Sequence, residues 1–93
     1  MISIEDCAAL CGLDLDQIAA ISEHEHVPEM EAAALANYLL HKKGGALAIR
    51  EMIVDDIRGA MECADTLHAC ELLKALRHFL NQHPEAANSS LAN

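Results

Sequence analysis

The sequence predicts an all-α fold, and three observations support this prediction. Hydrophobic residues make up 53% of the 93 residues, whereas aromatic residues make up only 2%. The apolar residues are mostly Ala, Leu and Ile, which favours helices over strands. They recur at spacings of three and four residues, and Gly or Pro residues separate the apolar stretches. The predicted helices cover about residues 4–11, 15–25, 28–43, 46–62 and 66–82.

The first two predicted helices have recognisable start and stop signals. Ser3 followed by Asp6 resembles a capping box, and Gly12 can adopt the left-handed conformation that ends a helix. Asp14 is a good N-cap for the second helix. That helix carries its apolar side chains on one face, at Leu15, Ile18 and Ile21. These signals predict two short helices ahead of the longer ones.

The three longer helices are bounded by prolines and glycines. Pro28 fits the first position of a helix, because the N–H that it lacks would have no partner there. Gly44-Gly45 ends this third helix, and Pro84 stops the fifth. Because the connections at 44–45 and 63–65 are short, the three helices are predicted to be antiparallel neighbours in a small bundle.

The sequence predicts one helical domain over residues 1–83 and a flexible tail over residues 84–93. The tail is predicted from its small and polar residues. Within the domain, the third helix is apolar nearly all round, because Ala residues fill the gaps between its larger side chains. A helix of this kind is buried on several sides. We therefore predict a homodimer that pairs through residues 28–43.

The charge is unevenly distributed along the chain. Residues 1–41 contain eight acidic residues and no Lys or Arg, which gives −8 of the net charge of −9. An acidic surface repels phosphate backbones, so nucleic acid is not a predicted partner. Ala8, Gly12 and Ile18 have the spacing of a helix-turn-helix, but the same spacing serves close helix packing equally well.

The predicted location is the cytoplasm, without membrane contact. The chain lacks the apolar run of about 20 residues that a membrane span needs. Its N-terminus lacks the basic start and the apolar stretch of a secretion signal. We therefore predict reduced thiols, buried as small core side chains, at Cys7, Cys11, Cys63 and Cys70.

One stretch concentrates side chains that can bind a metal or move a proton. It contains Glu23-His24-Glu25-His26, with Glu29 three residues later. If the second helix continues through His26, Glu25 falls on its apolar face, where an unpaired carboxylate is costly. Glu23-x-x-His26 also has the spacing that di-iron bundles use. This pattern predicts a divalent transition metal (Zn, Ni or Fe) bound by Glu23, Glu25, His26 and Glu29.

The competing interpretation of this stretch is structural. Glu25 and His26 would then cap and hydrogen-bond the turn at Pro28, while the other acidic side chains would be solvated. On a helical wheel Glu23 and His24 point away from the apolar face. The two interpretations differ in whether His26 is a metal ligand.

A second pair of residues lies where polar side chains are unusual. Asp56 and His68 sit at the borders of the apolar faces of the fourth and fifth helices. Because these helices are predicted to be antiparallel, a buried contact between the two side chains is possible. Such a contact serves either structural hydrogen bonding or acid–base catalysis.

These observations rank three functions. The sequence lacks the phosphate-binding motif G-x-x-x-x-G-K-[ST] and the nucleophile motif G-x-S-x-G, which argues against an enzyme. The leading hypothesis is a non-catalytic interaction or oligomerisation module. A metal-binding protein is the second hypothesis, and an enzyme that uses Asp56 and His68 is the third.

Overall fold

The chain forms six α-helices and no strand between residues 3 and 91, so the predicted all-α fold is confirmed. The computed structural model describes these residues, with the backbone alone for residues 7, 10, 11 and 88–91. The helices are α1 (Ile4–Cys11), α2 (Leu15–Glu25), α3 (Glu29–Leu40), α4 (Gly45–Glu62), α5 (Thr66–Gln82) and α6 (Pro84–Leu91).

The starts of α1 and α2 have the predicted caps. Oγ of Ser3 accepts a hydrogen bond from the Asp6 amide at 3.1 Å, and Oδ2 of Asp6 accepts one from the Ser3 amide at 3.3 Å. Gly12 follows α1 with a φ of 71°, a left-handed conformation that glycine adopts without strain. At the start of α2, the Asp14 amide donates to Oε1 of Gln17 at 3.2 Å.

The third helix is shorter than predicted at both ends. Pro28 is its N-cap rather than its first residue, and the Pro28 carbonyl accepts a hydrogen bond from the Ala32 amide at 2.9 Å. The helix ends at Leu40, and residues 41–44 form a turn. Gly45 begins α4, and its backbone lies very close to the end of α3. A Cβ atom on Gly45 would lie 1.5 Å from the carbonyl oxygen of Leu39.

The core lies around α4, which contacts α2, α3, α5 and α6. Ile49 and Ile53 of α4 are completely buried, as are Ile18 and Ile21 of α2 and Phe79 of α5. Branched aliphatic side chains at helical spacing thus give α2 and α4 one inward face each. The burial of Ile18 and Ile21 fixes α2 against the rest of the domain.

The predicted bundle of three antiparallel helices is not confirmed. In the described part of the chain, α3 contacts α1, α2 and α4 but not α5, whereas α2 contacts both α3 and α5. Ala32, Ala33 and Ala36 are buried in α3. Their small side chains let neighbouring helices approach closely, and this accounts for the alanine-rich face within a single chain.

A sixth helix occupies most of the segment predicted as a tail over residues 84–93. Pro84 ends α5 but also begins α6, because a helix tolerates proline in its first turn. Ala86 is completely buried, and α6 contacts α4 and α5. The His83 ring lies on Phe79 with 4.6 Å between ring centroids. Packing therefore continues beyond residue 83, and residues 92 and 93 lie outside the described part.

Between residues 3 and 91, no helix combines the length and the apolar composition that crossing a bilayer requires.

Candidate functional site

Charged and titratable side chains from three helices converge on one surface cleft. Glu23 and His24 come from the last turn of α2, Asp55 and Asp56 from α4, and His68 from the first turn of α5. We call these five residues the acid–imidazole cluster. It is built by tertiary packing, because α2 and α4 are in contact and α2 and α5 are in contact.

The end of α2 is fixed by its own backbone geometry. His26 is the C-cap, with a left-handed φ of 58°, and its amide donates to the Ser22 carbonyl. The Ser22 hydroxyl donates to the carbonyl of Val27. These bonds end the helix at Glu25, so Glu23 and His24 occupy its final turn. That turn lies against α4 and α5.

His68 uses both of its ring nitrogens on carboxylates. Nε2 lies 2.7 Å from Oε1 of Glu23, and Nδ1 lies 3.3 Å from Oε1 of Glu71. The backbone of His68 is fixed by Asp65, the N-cap of α5, whose Oδ1 accepts from the His68 amide at 3.2 Å. The cap thus positions an imidazole that connects α5 to α2.

His24 has a matching arrangement. Nδ1 lies 2.9 Å from Oε2 of Glu25, and Nε2 lies 3.3 Å from Oδ2 of Asp55. The other oxygen of Asp55 lies 3.8 Å from the guanidinium of Arg58. This imidazole connects α2 to α4.

The environment favours protonated imidazoles. Burial by itself would lower the pKa of His24, but hydrogen bonds to Glu25 and Asp55 outweigh burial and raise that pKa above its ordinary value. Hydrogen bonds to Glu23 and Glu71 raise the pKa of His68. In both cases neighbouring carboxylates stabilise the charged ring.

Asp56 is the most unusual acid of the cluster. Its Oδ2 atom is buried and has no hydrogen-bond partner among the described residues. Burial and the negative charge of Glu23 raise the pKa of Asp56 to about 6, although His24 and His68 act in the opposite direction. A carboxyl group in this position is partly protonated near neutral pH.

The four predicted metal ligands take separate positions. Glu23 faces His68 and Glu25 faces His24, while His26 and Glu29 are exposed on either side of Pro28. Among the described side chains, no group of three or more His, Cys, Asp or Glu residues is arranged to hold a metal ion. A metal on Glu23, Glu25, His26 and Glu29 therefore stays a prediction.

The predicted pair Asp56 and His68 does lie in one cleft, although the nearest partner of His68 is different. His68 hydrogen-bonds Glu23 rather than Asp56. The helical wheel predicts that Glu23 and His24 point to solvent. In the structure Glu23 faces α5 and His24 faces α4. Their spacing within α2 gave no sign of these partners, which lie in distant parts of the sequence.

The predicted burial is wrong for two of the four cysteines, although both are free thiols. Cys63 and Cys70 are exposed free thiols, and Cys63 borders the cleft. Cys63 follows α4 as its C-cap, and Cys70 is an exposed residue of α5. The side chains of Cys7 and Cys11 lie outside the described part.

A second surface feature is apolar. A groove between α4 and α5 is lined by Ile57, Met61, Thr66, Ala69, Cys70 and Leu73. Met61 is 66% exposed and Leu73 is 48% exposed. We call these six residues the α4–α5 groove.

Comparisons with protein-family models, with curated proteins and with solved structures find no match for this chain.

Proposed function

We propose that this chain is a non-catalytic interaction module that forms a homodimer through the α4–α5 groove. The observation that supports this proposal is the exposure of Met61 and Leu73 beside the half-buried Ile57 and Ala69. Isolated exposed apolar side chains are common, whereas a contiguous group of them is typical of an interaction surface.

The groove is also extended by a further apolar side chain. Leu67, in the first turn of α5, is 74% exposed and lies three residues before Cys70. Residues three apart on a helix are neighbours on its surface. The most exposed large apolar side chain of α5 thus lies next to Cys70, which lines the groove.

A second copy of this chain is a suitable occupant because of the charges near the groove. Residues 42–93 carry all six Lys and Arg residues and a net charge of −1, whereas residues 1–41 carry −8. On α4, Arg58 and Glu62 are both exposed and lie one turn apart. A two-fold interface places a surface against itself, and a border that carries both signs can be self-complementary.

The alternative dimer surface is the one that the sequence predicts, residues 28–43. Its buried alanines already pack inside the monomer, but Met30 and Tyr38 are exposed. Tyr38 lies under the ammonium group of Lys42, 5.7 Å from the ring centroid. This helix therefore provides the matched control for a test of the groove.

The test is the molar mass in solution, measured by light scattering at protein concentrations up to about 1 mM. We expect a dimer for the wild type, a monomer for Leu73→Glu and a dimer for Tyr38→Glu. Circular dichroism checks that each variant keeps its helices. A monomeric wild type would overturn the proposal, and so would a dimer that survives Leu73→Glu. Loss of the dimer in Tyr38→Glu alone would assign it to residues 28–43.

The metal-binding and enzyme hypotheses remain alternatives to the interaction module, and Asp56 and His68 do lie in one cleft. A zinc, nickel or iron site on Glu23, Glu25, His26 and Glu29 would need these side chains to converge, and elemental analysis of the purified protein tests for it. An enzyme that uses Asp56 and His68 would need them placed for proton transfer. The proposal includes a cytoplasmic location, because exposed thiols stay reduced in the cytoplasm.

A further inference from the structure

We propose that a cleft between α2 and α5 binds a basic segment of a partner protein, with a lysine side chain of that segment inserted between the two helices. The border of the cleft carries the carboxylates of Asp16, Glu23 and Glu71, and its buried apolar lining includes Ala20, Leu72 and Ala75. We call this cleft the α2–α5 groove. It shares no residue with the α4–α5 groove, so the proposal does not depend on the homodimer.

The α2–α5 groove lies between two antiparallel helices that are connected on both sides of it. At the end of α2, Oε1 of Glu23 lies 2.7 Å from Nε2 of His68, in the first turn of α5. Near the start of α2, Nε2 of Gln17 donates to Oε1 of Gln82, the last residue of α5, at 3.3 Å. Because Gln17 is completely buried, this second connection belongs to the packed interior. The groove is therefore formed before a ligand binds.

Small side chains leave the space between these connections unfilled. Ala20 and Ala75 are buried, and Ala19 is exposed beside them. Each alanine contributes only one methyl group, and the groove has a volume of about 320 Å³. Cavities that bind ligands range from about 300 to 1,000 Å³, so this one has room for a single long side chain.

The charges of the groove favour a cationic occupant. Its lining carries three carboxylates, whereas Lys74 and His68 supply at most two positive charges. The surrounding sequence is more acidic still, since residues 1–41 carry −8 and contain no Lys or Arg. Such a surface attracts a basic segment and repels an acidic one. Because the negative charge extends beyond the groove, a segment with several basic residues is favoured over a single free amine.

The carboxylates at the border also have oxygen atoms that a ligand can use. Oδ1 of Asp16 accepts from the Gln17 amide at 2.9 Å, and Oε1 of Glu71 lies 3.3 Å from Nδ1 of His68. The second oxygen of each carboxylate makes no hydrogen bond to another described residue, and both side chains are exposed. A lysine side chain matches this arrangement, because its aliphatic stem packs on apolar groups while its ammonium group donates up to three hydrogen bonds.

The first test is the binding of a short fluorescent peptide of Lys and Ala residues, followed by anisotropy at about 0.15 M salt, where distant charges are screened. We expect saturable binding to the wild type, and none of a matched peptide of Glu and Ala residues. Asp16→Asn and Glu71→Gln should each weaken binding by roughly two- to fivefold, the range of one exposed ion pair. Lys74→Gln should strengthen binding by a similar factor, because it removes a repelling charge.

The control for net charge is Glu51→Gln, which removes one negative charge from an exposed position on α4 outside the groove. Its affinity for the peptide should equal that of the wild type. If Glu51→Gln weakened binding as much as Glu71→Gln did, the attraction would be non-specific and the proposal would be overturned. A wild type that shows no saturable binding would overturn it as well.

The second test fills the groove. Ala19→Leu should abolish saturable binding of the peptide, whereas Ala34→Leu, at an exposed position of α3, should bind like the wild type. Circular dichroism checks that both variants keep their helices. Unchanged affinity in Ala19→Leu would contradict insertion into the groove.

Two further outcomes would assign the groove to a different occupant and so overturn a basic partner protein. One is displacement of the peptide by an equal concentration of 1,5-diaminopentane, which would indicate a site for free amines. The other is loss of the dimer mass in Glu71→Gln, which would indicate a contact with a second copy of this chain. We expect neither result.

Discussion

Nε2 of His68 lies 2.7 Å from Oε1 of Glu23, although 45 residues separate them in the sequence. This contact connects two candidate sites that the sequence predicts as separate. Glu23 belongs to the stretch predicted to bind a metal, and His68 belongs to the pair for which either structural hydrogen bonding or catalysis was expected. Asp56, the partner predicted for His68, lies in the same cleft. The two candidate sites are therefore a single cluster between α2, α4 and α5.

The raised pKa of Asp56 leads to the first prediction. Its value of about 6 in the folded protein exceeds the ordinary value of 3.8, so the native state binds this proton more tightly than the unfolded state. The contribution of Asp56 to stability is therefore lost as the pH rises between these values. We expect Asp56→Asn to raise the free energy of unfolding above pH 6, by on the order of 1 kcal/mol after solvent screening, with little effect near pH 4.

The measurement is urea denaturation of wild type and variant at several pH values and one protein concentration. Glu51→Gln is the matched control, because Glu51 is exposed on the same helix and its substitution removes the same charge. If Glu51→Gln stabilised the protein as much as Asp56→Asn did, the effect would be one of net charge. A gain in Asp56→Asn that is equal at all pH values would also contradict the argument.

The local signals in the sequence were sufficient to predict α1 to α5 as helices, but not α6, whose segment was predicted as a flexible tail. The Ser3–Asp6 capping box and Gly12 define the start and the stop of α1, and Asp14 defines the start of α2, because a cap involves residues only three or four apart. Pro84 was ambiguous, since proline can end one helix and begin the next. The burial of Ala86 that accompanies α6 depends on α4 and α5, which no local pattern describes.

The site was less predictable than the elements. Asp56 and His68 were identified because they are polar residues at the borders of apolar faces. The helical wheel predicted that Glu23 and His24 point to solvent. A wheel contains no information about which other helices cover a given face. The structure covers that face with α4 and α5. The contact between Glu23 and His68 arises from tertiary packing.

Two glycines of α4 should respond in opposite ways to the same substitution. A Cβ atom on Gly45 would lie 1.5 Å from the backbone oxygen of Leu39, which no side-chain rotation can relieve. We expect Gly45→Ala to cost about 3 kcal/mol or more. A Cβ atom on Gly59 would meet no heavy atom within 4 Å, so Gly59→Ala should stabilise by about 0.8–1 kcal/mol through helix propensity.

Thermal and urea denaturation of the two variants test this pair. A change of about 1 kcal/mol corresponds to roughly 4–8 °C in Tm for a domain of this size. If Gly45→Ala were as stable as the wild type, the close approach of α4 to the end of α3 would be wrong.

Substituting glycine for Ala64, in the turn between α4 and α5, should stabilise the protein. Its φ is 59°, a left-handed conformation that costs an L residue about 1–2 kcal/mol. Glycine relieves this strain but loses more backbone entropy on folding, so the expected net gain of Ala64→Gly is about 0.5–1 kcal/mol. The control is Ala34→Gly in α3, which should lose about 1 kcal/mol. Urea denaturation that gave both variants the same sign would exclude left-handed strain at Ala64.

Alanines lie on both the buried face and the exposed face of α3. Ala36 is completely buried, whereas Ala34 is exposed on the same helix. We expect Ala36→Leu to destabilise the fold by about 1–3 kcal/mol, because additional methyl groups in a packed core force neighbours to move. Ala34→Leu should change stability by less than about 0.5 kcal/mol. Urea denaturation measures both effects, at a dilution where the protein is monomeric so that self-association does not contribute. If Ala36→Leu were tolerated as well as Ala34→Leu under those conditions, α3 would not pack inside the monomer, and its alanine-rich face would again be available for the dimer contact over residues 28–43.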